Sequence, residues 1–486
     1  MMKKLFLTFS AVVAALSLNA QSGKVAILSV NDMHAQINQM PRFAFIADSL
    51  RDVYPDLLIL SAGDNRTGDP INDQYPEPSY PMMALMNYVG FHGSAIGNHE
   101  FDGGPKSLAY QIANSNFRYI CANMETPDSM HIWTTPYKFY KVGDVRVGVL
   151  GLVQRGVSGI PDCHPARVVG MKFNPEIDKV KEYAWMRNDC DLFILLTHRG
   201  YEEDVDFTKD VAPYGVDAII GGHSHTLVEN PTSHNGVLVT QAMWKLKYCT
   251  LTVFDVVDGK VAGYKCQTIA IDKKNPNIDP KAKAMVDQFN DNPAMKRVLT
   301  NVTAPFTEKE QLGCLMSDAL KEGLDADIAF QNRGGVRFAT KEVGPFTVRD
   351  MYNLDPFGNE AVIINLTGEQ VKQLIAGCIA EDGYGAPCCA GIKYEVSYDR
   401  IVKSGEQKNV KINKITMEDG KKFDPKKTYK VATSTFVIST SLPSDSDQGT
   451  NTFTPCSDHL MKYLETHPNL DYTGVARVKE NINLIQ

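Results

Sequence analysis

The chain has 486 residues, 43% of them hydrophobic and 22% charged, which excludes gross disorder, collagen and coiled coil and leaves room for about two or three ordinary domains. Lys and Arg number 50 against 57 Asp and Glu, a net charge of −7, which argues against a binder of nucleic acid polymer, because such proteins carry a basic patch or stripe. Small anionic substrates are not excluded, since bound metal ions add positive charge that this count omits.

Residues 1–20 read as an export signal. Lys3 and Lys4 open it, and Leu5 to Leu18 form an apolar run too short to span a bilayer. Ser17, Leu18, Asn19 and Ala20 then offer a small-residue cleavage site before Gln21, and no Cys follows as a lipoprotein would need. No later stretch is apolar for long enough to cross a membrane, so the mature chain is expected to be periplasmic or secreted. The 10 cysteines are an even number, compatible with disulfides in an oxidising compartment. Their pairing is not legible, none has zinc-finger spacing, and the adjacent Cys388 and Cys389 cannot easily bridge each other.

From residue 21 to 270, short apolar runs alternate with helix-like stretches. The runs Val25–Val30, Leu57–Leu60, Val145–Val153, Leu192–Leu196, Ala218–Ile220 and Val237–Val239 are predicted buried strands, and with the intervening helices they predict a layered α/β domain. Residues 271–299 read as a breaker-rich linker, Asp272 to Pro280, followed by a connecting helix around Lys281–Phe289; this stretch is expected to permit relative movement. A second domain is expected over 300–486, with strands at Val362–Leu366, Ile392–Val396 and Tyr429–Ala432 and a helix from Gly368 to Ile379.

The chemistry lies where the apolar runs end. Val25–Val30 runs into Asn31-Asp32-Met33-His34, and Leu57–Leu60 into Ser61-Ala62-Gly63-Asp64. Ser94-Ala95-Ile96 runs into Gly97-Asn98-His99-Glu100-Phe101-Asp102. Leu192–Leu196 runs into Thr197-His198, and Ala218–Ile220 into Gly221-Gly222-His223-Ser224-His225. Ligands collect at the carboxyl ends of strands in open α/β sheets, and five of the 11 histidines fall in these five places. Imidazole and carboxylate together suit Zn, Mn, Co or Fe better than Mg or Ca. One Asp can bridge two cations, and two cations about 3.5–4 Å apart form a clamp for displacement at phosphorus.

These motifs resemble the calcineurin-like metallophosphoesterases, whose fold is a four-layer α/β sandwich. In the second half, Asn332-Arg333-Gly334-Gly335-Val336-Arg337 and Pro356-Phe357-Gly358-Asn359 resemble the C-terminal domain of the 5'-nucleotidase family, an α/β domain that binds the nucleoside. The resemblance implies two divalent metal ions, with Asp32, His34 and His225 on one, Asn98, His198 and His223 on the other, and Asp64 between them. It implies His99 as the catalytic histidine and Asp102 as its partner. Asp102, three residues on, could also fix the His99 tautomer on physical grounds; Glu100 is read as structural. By the same resemblance Phe357 and Phe436 would sandwich a nucleobase. Asn332 and Asn359 could read its polar edge, and Arg333 and Arg337 could bind anionic oxygens or stack on aromatic faces.

Two departures touch the nucleoside side. The family's Gly-Gly-Asp-Gly loop after the second aromatic is missing, with Asp445 or Asp447 as alternatives at a different spacing, and the Arg of its Arg-Glu-x-Asn-Leu-Gly-Asn motif is missing around Glu308–Cys314. The expected function is a metal-dependent phosphohydrolase acting on nucleotides. UDP-sugars or 2',3'-cyclic nucleotides are alternative substrates. A thiosulfohydrolase relative and a non-catalytic nucleotide-binding protein are the rivals. Oligomeric state is not legible.

Overall fold

The computed structural model describes residues 22–485 except 78, 157, 403–404 and 443–446; residues 1–20 and Asp445 lie outside the described residues. The first half builds two six-stranded sheets. One runs, in spatial order, Lys260–Ala270, Tyr248–Val257, Gly23–Val30, Leu58–Ser61, Gly93–Ala95 and Arg118–Ile120. The other runs Ser233–His234, Val237–Thr240, Ala218–Ile220, Leu192–His198, Val145–Val153 and Tyr137–Val142. The inner strands are parallel, with Ile27 beside Leu58, Leu60 beside Gly93, and Val149 beside Ile194. Parallel strands covered on both faces need apolar side chains at every position, not at alternate ones, which is why they read as unbroken runs.

The sheets pack face to face through Val25, Ile27, Leu60, Val147, Val149, Ile194, Leu196 and Ile220. Helices cover both outer faces, one layer around Met40, Phe43, Leu85 and Met86 and the other around Val180, Phe207 and Val211. The result is the four-layer α/β sandwich.

The second half is a separate α/β unit. Its five-stranded sheet runs Cys388–Ala390, Ile328–Gln331, Thr428–Ser434, Glu360–Thr367 and Thr450–Pro455. Two 15-residue helices pack against it, Lys309–Gly323 and Gly368–Asp382. Each starts on a capping box: Glu308 with Gln311, and Thr367 with Gln370.

The connecting helix Pro280–Asn290 leaves little slack. Asp279 caps it by accepting the Ala282 N–H and also takes a bond from the Tyr88 hydroxyl at 2.9 Å. Val286 and Phe289 join Phe43 and Leu85 in one core, which continues through Met295 and Leu299 to Leu312 and Phe346 of the second unit. The polar stretch before the helix is tied down as well, since the Arg42 guanidinium donates to the Lys273 carbonyl at 2.6 Å. Both the polar stretch and the connecting helix are thus held against the first unit. None of the 10 cysteines is disulfide-bonded, and nine are buried. No helix among the described residues is long and apolar enough to cross a membrane.

Candidate metal centre and active site

The strand-end loops adopt backbone that side chains other than glycine rarely take. Asp32, His34, Asp64, His223 and His225 hold φ of 48, 45, 53, 83 and 56°. Each such residue costs on the order of 1–3 kcal/mol and persists where its surroundings fix it. Here the loops fix one another: the Asp32 N–H donates to the Gly63 carbonyl and the His34 N–H to the Asp64 carbonyl, both at 3.0 Å. The glycines of the motifs let the loops meet. A Cβ on Gly97 would collide with the Asp64 carboxylate, and one on Gly222 would lie 2.8 Å from His198 Nδ1.

Two donor clusters result. In the first, His34 Nε2 lies 3.0 Å from His225 Nε2, which lies 3.4 Å from Asp32 Oδ1. In the second, His198 Nε2 lies 3.2 Å from both Asp64 Oδ2 and Asn98 Oδ1, and His223 Nδ1 lies 2.9 Å from the same Asn98 oxygen. His198 Nε2 is 3.8 Å from Asp32 Oδ1, so the clusters adjoin. The outer ring nitrogens of His34, His198 and His223 are engaged. His34 Nδ1–H donates to the Thr67 carbonyl at 2.8 Å and His198 Nδ1–H to the Ala62 carbonyl at 2.7 Å. A carbonyl only accepts, so these bonds leave both Nε2 lone pairs facing the clusters. The Asn98 amide nitrogen donates to the Asp162 carbonyl at 3.0 Å, which turns its oxygen inward. His223 Nε2 faces the Asp162 carboxylate at 3.4 Å.

The charge balance asks for cations. Asp32 and Asp64 are 0% and 1% exposed, and among the described residues no Lys or Arg pairs with either. Buried carboxylates without such partners are costly. The same field acts on His198: burial opposes its charging, but Asp64 and Asp32 reverse this and push it up to about 10. His34 is held well below the usual imidazole range, first by burial and then by His99 nearby, as suits a neutral ligand. Inward lone pairs, mixed nitrogen and oxygen donors and unbalanced carboxylates fit divalent metal ions.

The sequence matches the calcineurin-like phosphoesterase model over residues 25–227 and the 5'-nucleotidase C-terminal domain model over residues 291–441. The chain belongs to the 5'-nucleotidase family of metallophosphoesterases. It is a metal-dependent phosphoester hydrolase. It is 27% identical over 474 residues to the trifunctional nucleotide phosphoesterase protein YfkN of Bacillus subtilis, a match that takes in 85% of this chain but 32% of that longer protein. It is 26% identical over 529 residues to protein UshA of Yersinia enterocolitica, with 92% of each covered. Its fold is similar to that of a 5'-nucleotidase precursor from Thermus thermophilus, with a TM-score of 0.79 over 94% of this chain and 99% of that one at 23% identity.

His99 shares a third cluster with His34 and Asp64, so distance alone does not separate it from the metal donors. Its surroundings do. His99 Nδ1 lies 2.7 Å from Asp102 Oδ2, its backbone N–H donates to Asp64 Oδ1 at 2.8 Å, and its side chain is 15% exposed. Burial disfavours its charged form, yet Asp102 and Asp64 outweigh burial and raise its pKa.

The second unit contributes unequally. The Phe357 ring lies 6.0 Å from the His99 ring at 23°, and the Arg337 guanidinium stands 5.2 Å from the Phe357 centroid. Arg333 is engaged elsewhere, bonded to the Glu480 carboxylate at 2.7 Å. Asn332 is buried and accepts from Gln331 at 3.2 Å. Asn359 is half-buried, and its carbonyl accepts the Cys456 N–H. Phe436 sits half-buried in the first turn of helix Thr435–Ser441, with no ring contact to Phe357 among the described residues. Asp447 is exposed and accepts the Gly449 N–H.

Four further residues went unread as site residues. Glu100 is fully buried and accepts three backbone N–H groups of the ligand loops. Asn31 donates to Asp32 Oδ2 at 2.6 Å. Asp162 lies against Asn98 from 64 residues away in the chain, and against His223 as well. Trp244 stacks on His225 at 4.7 Å. Asn31 and Glu100 were within reach by adjacency to the motifs, whereas Asp162 and Trp244 carry no local signal.

Proposed function

We propose that the chain releases phosphate from nucleoside monophosphates at a two-metal site roofed by its second domain. The observation that carries this reading is the Phe357 ring of the second domain lying over His99, beside both donor clusters. Asp32, His34 and His225 would hold one ion and Asn98, His198 and His223 the other, with Asp64, which lies between the two donor sets, serving both. Zn, Mn, Co and Fe all suit these donors. Two bound divalent cations supply a nucleophile at neutral pH and neutralise charge developing at phosphorus.

The chain's own groups do the rest. His99, whose charged form Asp102 and Asp64 favour against burial, donates a hydrogen bond to phosphoryl or leaving-group oxygen. Phe357, opposed by Phe436 once substrate is bound, takes the base by stacking, which tolerates different bases. Arg337 adds positive charge on the same side. Residues 1–20 fit export to a periplasmic or secreted location.

Retention of an aromatic over His99 speaks against a thiosulfohydrolase, and the meeting of all seven metal candidates speaks against a non-catalytic binding protein. The test is a metal-loaded assay of AMP, UDP-glucose, 2',3'-cyclic AMP and bis(p-nitrophenyl) phosphate. AMP is expected to give the highest kcat/KM. Turnover of the non-nucleotide diester without turnover of AMP would sink the reading.

A further inference from the structure

Arg349 joins the two domains through charge. Its Nη2 donates to Asp69 Oδ2 at 2.6 Å, and among the described residues no other ion pair links residues 21–270 to residues 300–486. The Asp69 side chain is 6% exposed. Its other oxygen accepts the Ile71 N–H at 3.1 Å and caps the short helix Pro70–Asp73. A buried carboxylate is costly unless paired, so Asp69 holds the guanidinium in place. The fork is used twice, because Arg349 Nη1 donates to Asn290 Oδ1 at 3.1 Å, at the end of the connecting helix. Asn290 in turn donates to Asn38 Oδ1 of the first domain at 2.8 Å. Two acceptors fix both the position and the plane of a guanidinium, as they could not fix a point charge.

Both ends of this contact lead to the site. Asp69 lies on the loop that carries Asp64. Asp73 holds that loop by accepting the Thr67 and Gly68 N–H groups at 3.1 and 2.7 Å, and the Thr67 carbonyl takes the His34 Nδ1–H. On the other side, Arg349 sits in the first turn of helix Val348–Leu354, whose start is fixed by a capping box of Thr347 and Asp350. Met351 and Leu354 of this helix are fully buried. The Asp355 N–H donates to the Met351 carbonyl at 3.0 Å and continues the helix toward the turn of Phe357, whose ring lies 6.0 Å from that of His99. The apolar core that runs on between the domains is not directional. The ion pair is, and it lies at the head of the helix that leads to Phe357.

We propose that Arg349 is a positioning residue for the reaction: by seating helix Val348–Leu354 on the Asp69 loop, it sets Phe357 relative to the metal donors, and so sets the nucleobase relative to the scissile phosphate. A misplacement of about 1 Å caused far from the chemistry can cost about a hundredfold, so a contact of this kind has work to do without touching substrate. The inference rests on the nucleotidase reading.

The experiment measures kcat and KM for AMP and p-nitrophenyl phosphate with metal-loaded wild type, Arg349→Met, Arg349→Lys, Phe357→Ala and the double variant Arg349→Met/Phe357→Ala. Arg349→Met should raise KM for AMP at least about fivefold, the worth of one weakened stacking contact, with a much smaller effect on p-nitrophenyl phosphate and no loss of metal. Arg349→Lys keeps the charge but not the fork and should recover part of the loss. In the Phe357→Ala background the same substitution should cost little more, because its effect passes through that ring. Arg349→Met/Asp69→Asn removes the contact without leaving a carboxylate buried alone, and it gives the same readout if the single variant misfolds. A lower Tm with KM for AMP unchanged would reduce Arg349 to a brace and overturn the proposal. An equal loss on both substrates, or a full further loss in the Phe357→Ala background, would overturn it too. A wild type that hydrolyses p-nitrophenyl phosphate but not AMP would instead refute the nucleotidase reading beneath it.

Discussion

The Glu100 carboxylate accepts the backbone N–H of Asp64 at 2.9 Å, and with its two oxygens it also takes those of Asn65 and Gly97 at 2.8 and 2.7 Å. One buried side chain thus ties the loop of the proposed bridging ligand to the loop that carries Asn98. Glu100→Gln exchanges one of these acceptor oxygens for a donor. Leaving a buried N–H unpaired costs about 1–3 kcal/mol, and loss of such support to ligands weakens metal binding about 10–100-fold. A metal titration alongside thermal unfolding should show weaker uptake and a lower Tm. Unchanged values in both would reduce Glu100 to a bystander.

Asp64 faces both donor clusters, with Oδ2 3.2 Å from His198 and Oδ1 accepting the His99 N–H. Asp64→Ala should therefore be the most damaging substitution among the seven metal candidates, lowering metal content by elemental analysis as well as rate. Chelation of the wild type should abolish hydrolysis, and Mn, Co or Zn should restore it. Full activity in a verified metal-free sample would refute the two-metal reading.

His99→Ala should keep the metals, because His99 is anchored by Asp102 and not by the shared donors. The expected loss in kcat is roughly 10²–10⁴-fold. If elemental analysis finds an ion missing from this variant, His99 belongs among the ligands, as its place in a cluster with His34 and Asp64 would allow.

Asp355 precedes the turn that presents Phe357 and is buried. Burial pushes its pKa up to about 6, against a bond from the Phe357 N–H that lowers it. The folded state therefore holds its proton more tightly than the unfolded state does. The stability this contributes is present in full below about pH 4 and is lost as pH rises through about 6. Asp355→Asn, neutral throughout, should gain stability over wild type at pH 7 relative to pH 4, by at most about 3 kcal/mol. Chemical denaturation at the two pH values measures the difference, and a gap independent of pH would show that Asp355 does not titrate in this window.

Much of this site was legible because its physics is local in sequence. Val145–Val153 and Ala218–Ile220 are strands residue for residue as read, since parallel strands buried on both faces leave unbroken apolar runs. The ligand types then mark where those runs end. The strand Lys260–Ala270, exposed or half-buried throughout, was not read, and its only plain signal is the Asp258-Gly259 turn before it. Glu100 lies next to the motif residues but acts on backbone, which its position does not reveal, and side chains that act across folded distance, such as Asp162 and Trp244, leave no spacing to find. The pair Arg333 and Arg337 shows the same limit. The motif presents them alike, and only the fold brings Glu480 to the first and Phe357 to the second.

Phe357 separates recognition from chemistry. Its ring lies 6.0 Å from the His99 ring, with the Arg337 guanidinium 5.2 Å from its centroid, so it belongs to the second domain yet borders the proposed reacting centre. Base–aromatic stacking is worth about 1–3 kcal/mol, so Phe357→Ala should lower kcat/KM for AMP by roughly 5–150-fold. The loss falls mainly on KM if stacking is complete in the ground state. p-Nitrophenyl phosphate has no nucleobase and should lose much less, although some loss is expected because the variant also unpacks one face of His99. The measurement is kcat and KM for both substrates in wild type and Phe357→Ala. A larger loss on AMP supports the base-stacking role. An equal loss on both, carried by kcat, would mean that Phe357 serves His99 and not the base. No loss on either would mean that a chain lacking the family's Gly-Gly-Asp-Gly loop holds its substrate by its phosphates alone.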